Sequence, residues 1–133
     1  MRKEFPEADL AVIQVFEDLV MAAVDYKELT GRYLQIWGEL GELYAEIKHG
    51  VERHYRPGVQ GSDGRIGNDW IEIKTISPEK EKNSVQVKRA GNFNKLLIVR
   101  ITDRFKFQSK LIDRKQLNKG SGKFARISWD RVE

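Results

Sequence analysis

A chain of 133 residues is sized for one domain with one core, and a hydrophobic fraction of 40% with three tryptophans argues against disorder despite 33% charged residues. It has no cysteine, which excludes disulfides and thiolate zinc sites. The net charge of +4 is unevenly spread: residues 1–46 carry four Lys/Arg against ten Asp/Glu, and residues 47–133 carry twenty against ten. The basic portion therefore suits either a polyanionic partner or a solvated lysine-rich surface.

The first segment, from about Pro6 to Tyr26, has the spacing of an amphipathic helix, with Leu10, Ile13, Phe16, Leu19, Val20, Ala23 and Val24 on one broad face. That face serves core packing or a contact between two copies of the chain. A second helix is expected from about Thr30 to Lys48, ending at Gly50. Tyr33, Ile36, Trp37, Leu40, Leu43, Tyr44 and Ile47 form its apolar stripe, leaving Glu39, Glu42 and Glu46 on an acidic side that faces solvent. His49, His54 and Tyr55 lead into the turn signal Arg56-Pro57-Gly58. Nothing at ligand spacing accompanies the two histidines, which read as loop or surface residues. No apolar run is long enough for a bilayer, and Met-Arg-Lys-Glu-Phe-Pro does not resemble a secretion signal, so a cytoplasmic protein is expected.

The stretch Gly61 to Thr75 reads as two short strands joined at Gly67-Asn68, a dipeptide suited to a tight hairpin loop. With that turn Ile66 pairs with Asp69, Arg65 with Trp70 and Gly64 with Ile71. Asp63 then falls opposite Glu72, with Cβ atoms about 5 Å apart. Lys74 shares the face of Glu72. Facing carboxylates destabilise a sheet unless a positive group lies between them. A divalent cation bound through oxygen, with Lys74 beside it, would supply one. Such a site is suited to hydrolysing a phosphate ester. The plain alternative is a solvated hairpin with an ordinary Glu-x-Lys face.

Beyond Lys74, residues Thr75 to Asn83 form a polar loop whose Lys80 and Lys82 either touch a phosphate backbone or are solvated. Ser84 to Arg89 alternates as a strand, with Gln86, Lys88 and Arg89 as further candidates for contact with nucleic acid. Phe93 to Thr102 contains the continuous apolar run of a buried central strand. Phe105 to Ile112 is its antiparallel partner, and Asp113 caps a short helix through about Leu117. Gly120 to Gly122 connects to a last strand, Phe124 to Trp129.

Gly61-x-Asp63, eight residues, then Glu72-Ile-Lys74-Thr75 resembles the signature of the PD-(D/E)XK nuclease superfamily, with Ser62 where the signature has proline. The resemblance covers roughly Gly38 to Asp113. It implies a restriction-endonuclease-like α+β fold over residues 1–133: two N-terminal helices (within 1–50) packed on a mixed sheet of five or six strands (within 58–133). It also implies a magnesium- or manganese-dependent nuclease acting on DNA, RNA being left open. Asp63 and Glu72 would be the metal ligands, aided by the Ile73 carbonyl, and Lys74 would assist the attacking water. Gly41-Glu42-Leu43-Tyr44-Ala45 is similar to the family's helical Gly-Glu-x-x-Ala, which points to Glu42 as a third acid. The helical wheel places Glu39 and Glu46 nearer the apolar edge, so Glu39 stands as the second choice. Asn94 occupies the place of an aspartate that often precedes the next strand in the family. Cutting both strands would call for a homodimer. The alternative is a catalytically inactive nucleic-acid-binding module of the same fold.

Overall fold

The computed structural model describes residues 1, 4–54, 62–117 and 119–132. Helix α1 spans Leu10–Thr30 and begins later than its apolar spacing suggests, because the Asp9 side chain accepts the Ala11 N–H and caps the start there. Gly31, in the left-handed conformation, closes it. Helix α2 spans Trp37–His49. The expected start at Thr30 is corrected, since Thr30 is the last residue of α1 and residues 31–36 form the connection. His49 is accordingly a helical residue, half-buried, with Nε2 2.8 Å from the Ser109 hydroxyl.

Strand β1 (Glu52–Arg53) follows directly, so the sheet begins before residue 58. Strands β2 (Gly64–Ile66) and β3 (Asp69–Ile76) pair antiparallel in the expected register, Gly64 with Ile71, Arg65 with Trp70 and Ile66 with Asp69. Gly67 takes a φ of 57°, which a tight turn asks of its first central residue. Strand β4 (Ser84–Lys88) leaves this sheet, and β5 (Lys95–Ile101) returns to lie parallel to β3. Strand β6 (Phe107–Asp113) runs antiparallel to β5, and Asp113 caps a single 3₁₀ turn at Arg114–Gln116. The last strand, β7 (Phe124–Ser128), pairs only with β4.

The fold is therefore α+β, with a five-stranded mixed sheet in the order β1-β2-β3-β5-β6 and a separate two-stranded ribbon, β4-β7. The alternation of β5 explains the layers. Leu97, Val99 and Ile101 face the helices and meet Phe16, Leu40, Tyr44 and Ile47, together with Ile71 and Ile73 of β3. Leu96 and Ile98 face the other way and meet Val85, Val87 and Ala125 of the ribbon, with Ile76 and Trp129. Each buried aliphatic side chain contributes roughly 1.5–3 kcal/mol, so both layers hold the sheet from opposite sides. Among the described residues no helix is long and apolar enough to cross a membrane.

Candidate active site at the edge of strand β3

Strand β2 is short and β3 is long. Among the described residues no strand pairs with the β3 edge beyond Ile71, where Ile73 presents its N–H. Asp63, the residue just before β2, fills that position: its Oδ2 accepts the Ile73 N–H at 2.7 Å. Its own N–H goes to the Ile71 carbonyl at 2.8 Å, and its carbonyl accepts the His54 N–H at 3.1 Å. Backbone bonds on both flanks thus fix the Asp63 carboxylate at the sheet edge. The His54 ring lies against Trp70, with centroids 5.4 Å apart, and its Nε2 is 3.0 Å from the Ser62 hydroxyl. This gives His54 a positioning role that sequence spacing does not reveal.

Residues of β3 alternate between the two faces. Ile71 and Ile73 lie on the helical side and Ile76 on the ribbon side, so Glu72 and Lys74 share the ribbon side. Glu72 is half-buried and hydrogen-bonded to Asp63. Burial, then the hydrogen bond and charge of Asp63, push its pKa up to about 8, although Lys74 opposes the shift. Glu42 approaches the same acids from α2. Burial first, and then Asp63, hold its carboxyl above the usual glutamate range, with Arg53 acting the other way.

Glu42 can approach because α2 runs close to β3. A Cβ on Gly41 would lie 2.0 Å from the Thr75 Oγ1, so only glycine permits this spacing. The Gly41-Glu42 pair is thus explained physically: the first residue lets the helix close in, and the second carries the acid. Glu39 is the more exposed, at 68% for its side chain against 30% for Glu42.

The acidic side of α2 does not simply face solvent, as its position off the stripe suggests. Arg53 of β1 reaches across to Glu46 at 3.2 Å, Glu42 at 3.8 Å and Glu39 at 3.9 Å. The sequence signal for this was only a lone arginine after a helix, with no indication that a two-residue strand would turn it back. Asn94, placed where the resemblance has an acid, clamps the sheet. Its Oδ1 accepts the Trp70 N–H at 2.6 Å, and its own N–H reaches the Trp70 carbonyl at 2.9 Å.

Asp63, Glu72, Lys74 and Glu42 thus gather around one edge. Gln86 and Lys88 are exposed on the ribbon, and Lys80 and Lys82 lie in the loop before it. Arg89 follows β4, where its N–H bonds the Lys123 carbonyl. Gly61 of the signature lies outside the described residues. Among the described residues no three His, Cys, Asp or Glu side chains form a metal-binding group. The donors that are close together nonetheless suit a hard cation: two carboxylates, plus the Ile73 carbonyl, which shares an edge with the Ile73 N–H. Comparison of the chain with protein-family models and with curated proteins finds no match.

Proposed function

We propose that the protein is a metal-dependent nuclease of the PD-(D/E)XK kind, hydrolysing phosphodiester bonds of DNA in the cytoplasm. The observation that carries this reading is the Asp63–Glu72 contact. Burial first, and then the neighbouring Asp63, lift the pKa of the Glu72 carboxyl to about 8, which marks two acids crowded at one edge beside the Lys74 amine. Asp63, Glu72 and the Ile73 carbonyl are the groups that would hold magnesium or manganese, with Glu42 behind them. When bound, the ion supplies Lewis-acid polarisation of the phosphate and lowers the pKa of a water. Asp63 is already held by the backbone, so its carboxylate needs no reordering. The Lys74 ammonium offers hydrogen bonds to the attacking water and to phosphate oxygens that gain charge. Cleavage of both strands would need two copies. Helix α1 leaves Val15, Met21 and Leu29 exposed as material for that contact.

One observation favours the second reading, a binding module without catalysis. Arg53 lies 3.8 Å from Glu42 and 3.2 Å from Glu46, so the third acid is already engaged in an ion-pair cluster. Plasmid and single-stranded DNA incubated with magnesium or manganese separate the two. Cutting by the wild type that is lost in both Glu72→Gln and Lys74→Ala supports the nuclease. Salt-sensitive binding without cutting supports the module.

A further inference from the structure

The β4-β7 ribbon buries Val85, Val87 and Ala125 against the sheet and turns its other face outward. Registered pairs place Gln86 beside Arg126 and Lys88 beside Phe124 on that outer face. Phe124 is 41% exposed, belongs to neither core cluster, and has the Lys123 ammonium 5.7 Å from its ring centre. A core-forming sequence has no packing reason for a phenylalanine there. Beside the ribbon lies a groove of about 610 Å³ lined by Lys82, Ser84, Gln116, Arg126, Asp130 and Arg131. A smaller one of about 210 Å³ continues it past Lys80, Lys82, Gln86 and Arg126. Lys80 is anchored by donating to the Ser84 carbonyl at 3.1 Å. Burial, and then the charges of Lys74 and Arg126, hold its ammonium below the ordinary lysine value. Lys80 therefore joins the amine of the proposed site to the cations of the ribbon. Asp130 is the acid among the residues that line these grooves.

We infer that the outer face of the β4-β7 ribbon binds a single strand of nucleic acid, with an unpaired base stacked on Phe124 and the backbone running past Arg126 and Lys80 toward Lys74. A row of cations alone would suit duplex and single strand alike. The exposed ring decides between them, since its face is useful to a base only when that base is unstacked. The ribbon packs on the sheet through one face, which leaves the other as a surface along which an unpaired strand can run. Phe124 and Arg126 are two residues apart on one strand, about 7 Å along it, so the ring and the guanidinium can serve neighbouring parts of one strand.

The inference names the substrate form for the nuclease reading above and rests on it only for its direction toward Lys74. The test measures binding without cutting, using Glu72→Gln protein in EDTA and a fluorescent pyrimidine oligonucleotide, either single-stranded or annealed into a blunt duplex. Anisotropy should show the single strand bound more tightly than the duplex. Adding Phe124→Ala should weaken the single strand roughly tenfold and leave the duplex unchanged, with Phe124→Trp restoring the affinity. Lys88→Ala and Arg126→Ala should each reduce the salt slope for the single strand by about 0.7. Equal or tighter duplex binding, an unchanged Phe124→Ala affinity, or no binding to either oligonucleotide overturns the inference. A protein that binds in this pattern but never cuts with magnesium keeps the ribbon assignment and loses the nuclease. One that cuts with an indifferent Phe124 does the reverse.

Discussion

The Asp63 carboxylate accepts the peptide N–H of Ile73 at 2.7 Å, the position a neighbouring strand would take if β2 were longer. One side chain thus completes the sheet and faces Glu72. Replacing it separates the two roles. Asp63→Asn keeps an oxygen for Ile73 and should fold with nearly wild-type stability while losing metal-dependent cleavage. Asp63→Ala leaves the N–H unpaired and should lose about 1–3 kcal/mol in urea unfolding as well.

Glu72 gives a pH dependence with a definite sign. In the unfolded chain it ionises near 4.5, and in the fold near 8, so between those values the folded state holds the extra proton. Stability of the metal-free protein should therefore fall as pH rises through that window. Glu72→Gln keeps an amide donor for Asp63 and does not titrate. The difference between the two stability curves should open steadily from pH 5 to pH 8 in favour of the variant. Magnesium should raise the wild-type Tm more at pH 8 than at pH 5.5, because it competes with the proton for the same carboxyl pair.

The approach of α2 to β3 depends on Gly41. Gly41→Ala would push a methyl group to 2.0 Å from the Thr75 Oγ1, and the helix must move. A loss of about 1–3 kcal/mol is expected, with reduced activity because Glu42 shifts along with the helix. Thr75→Ala should recover part of the stability in the double variant, since the Thr75 Cβ remains close, and the recovery measures the contact itself.

Arg53 is the only described cation within 4 Å of Glu39, Glu42 and Glu46. Its side chain is 21% exposed and that of Glu46 is 12% exposed, so removing the arginine would leave a largely buried carboxylate without its counter-charge. Arg53→Gln should lower stability by about 1–3 kcal/mol. It should also weaken the protein further as pH rises above 5, because Glu42 loses the group that favours its charged form.

The sequence exposes those features that depend on neighbours in the chain. The hairpin register follows from Gly67-Asn68, and the position of β5 follows from its apolar run, since turn chemistry and alternation are local. The grouping of Asp63, Glu72 and Lys74 follows from that register. What was hidden depends on distant contacts. Strand β4 was readable as a strand, but nothing in Ser84–Lys88 says that its partner is Phe124–Ser128 rather than the main sheet. Helix α1 runs past the expected end at Tyr26 to Thr30, because nothing breaks its helical pattern before Gly31. Phe105 was equally hidden: it adopts a φ of 59° in the turn into β6, held there by ring contacts with Tyr33 and Trp37.

An uncovered stretch of strand is an invitation for another polypeptide to add itself, which is how sheets recruit aggregates. Among the described residues β3 has such a stretch where β2 stops, and the Asp63 carboxylate already occupies its donor. Removing Asp63 would free that donor, so its loss is expected to shorten the shelf life of the protein in solution.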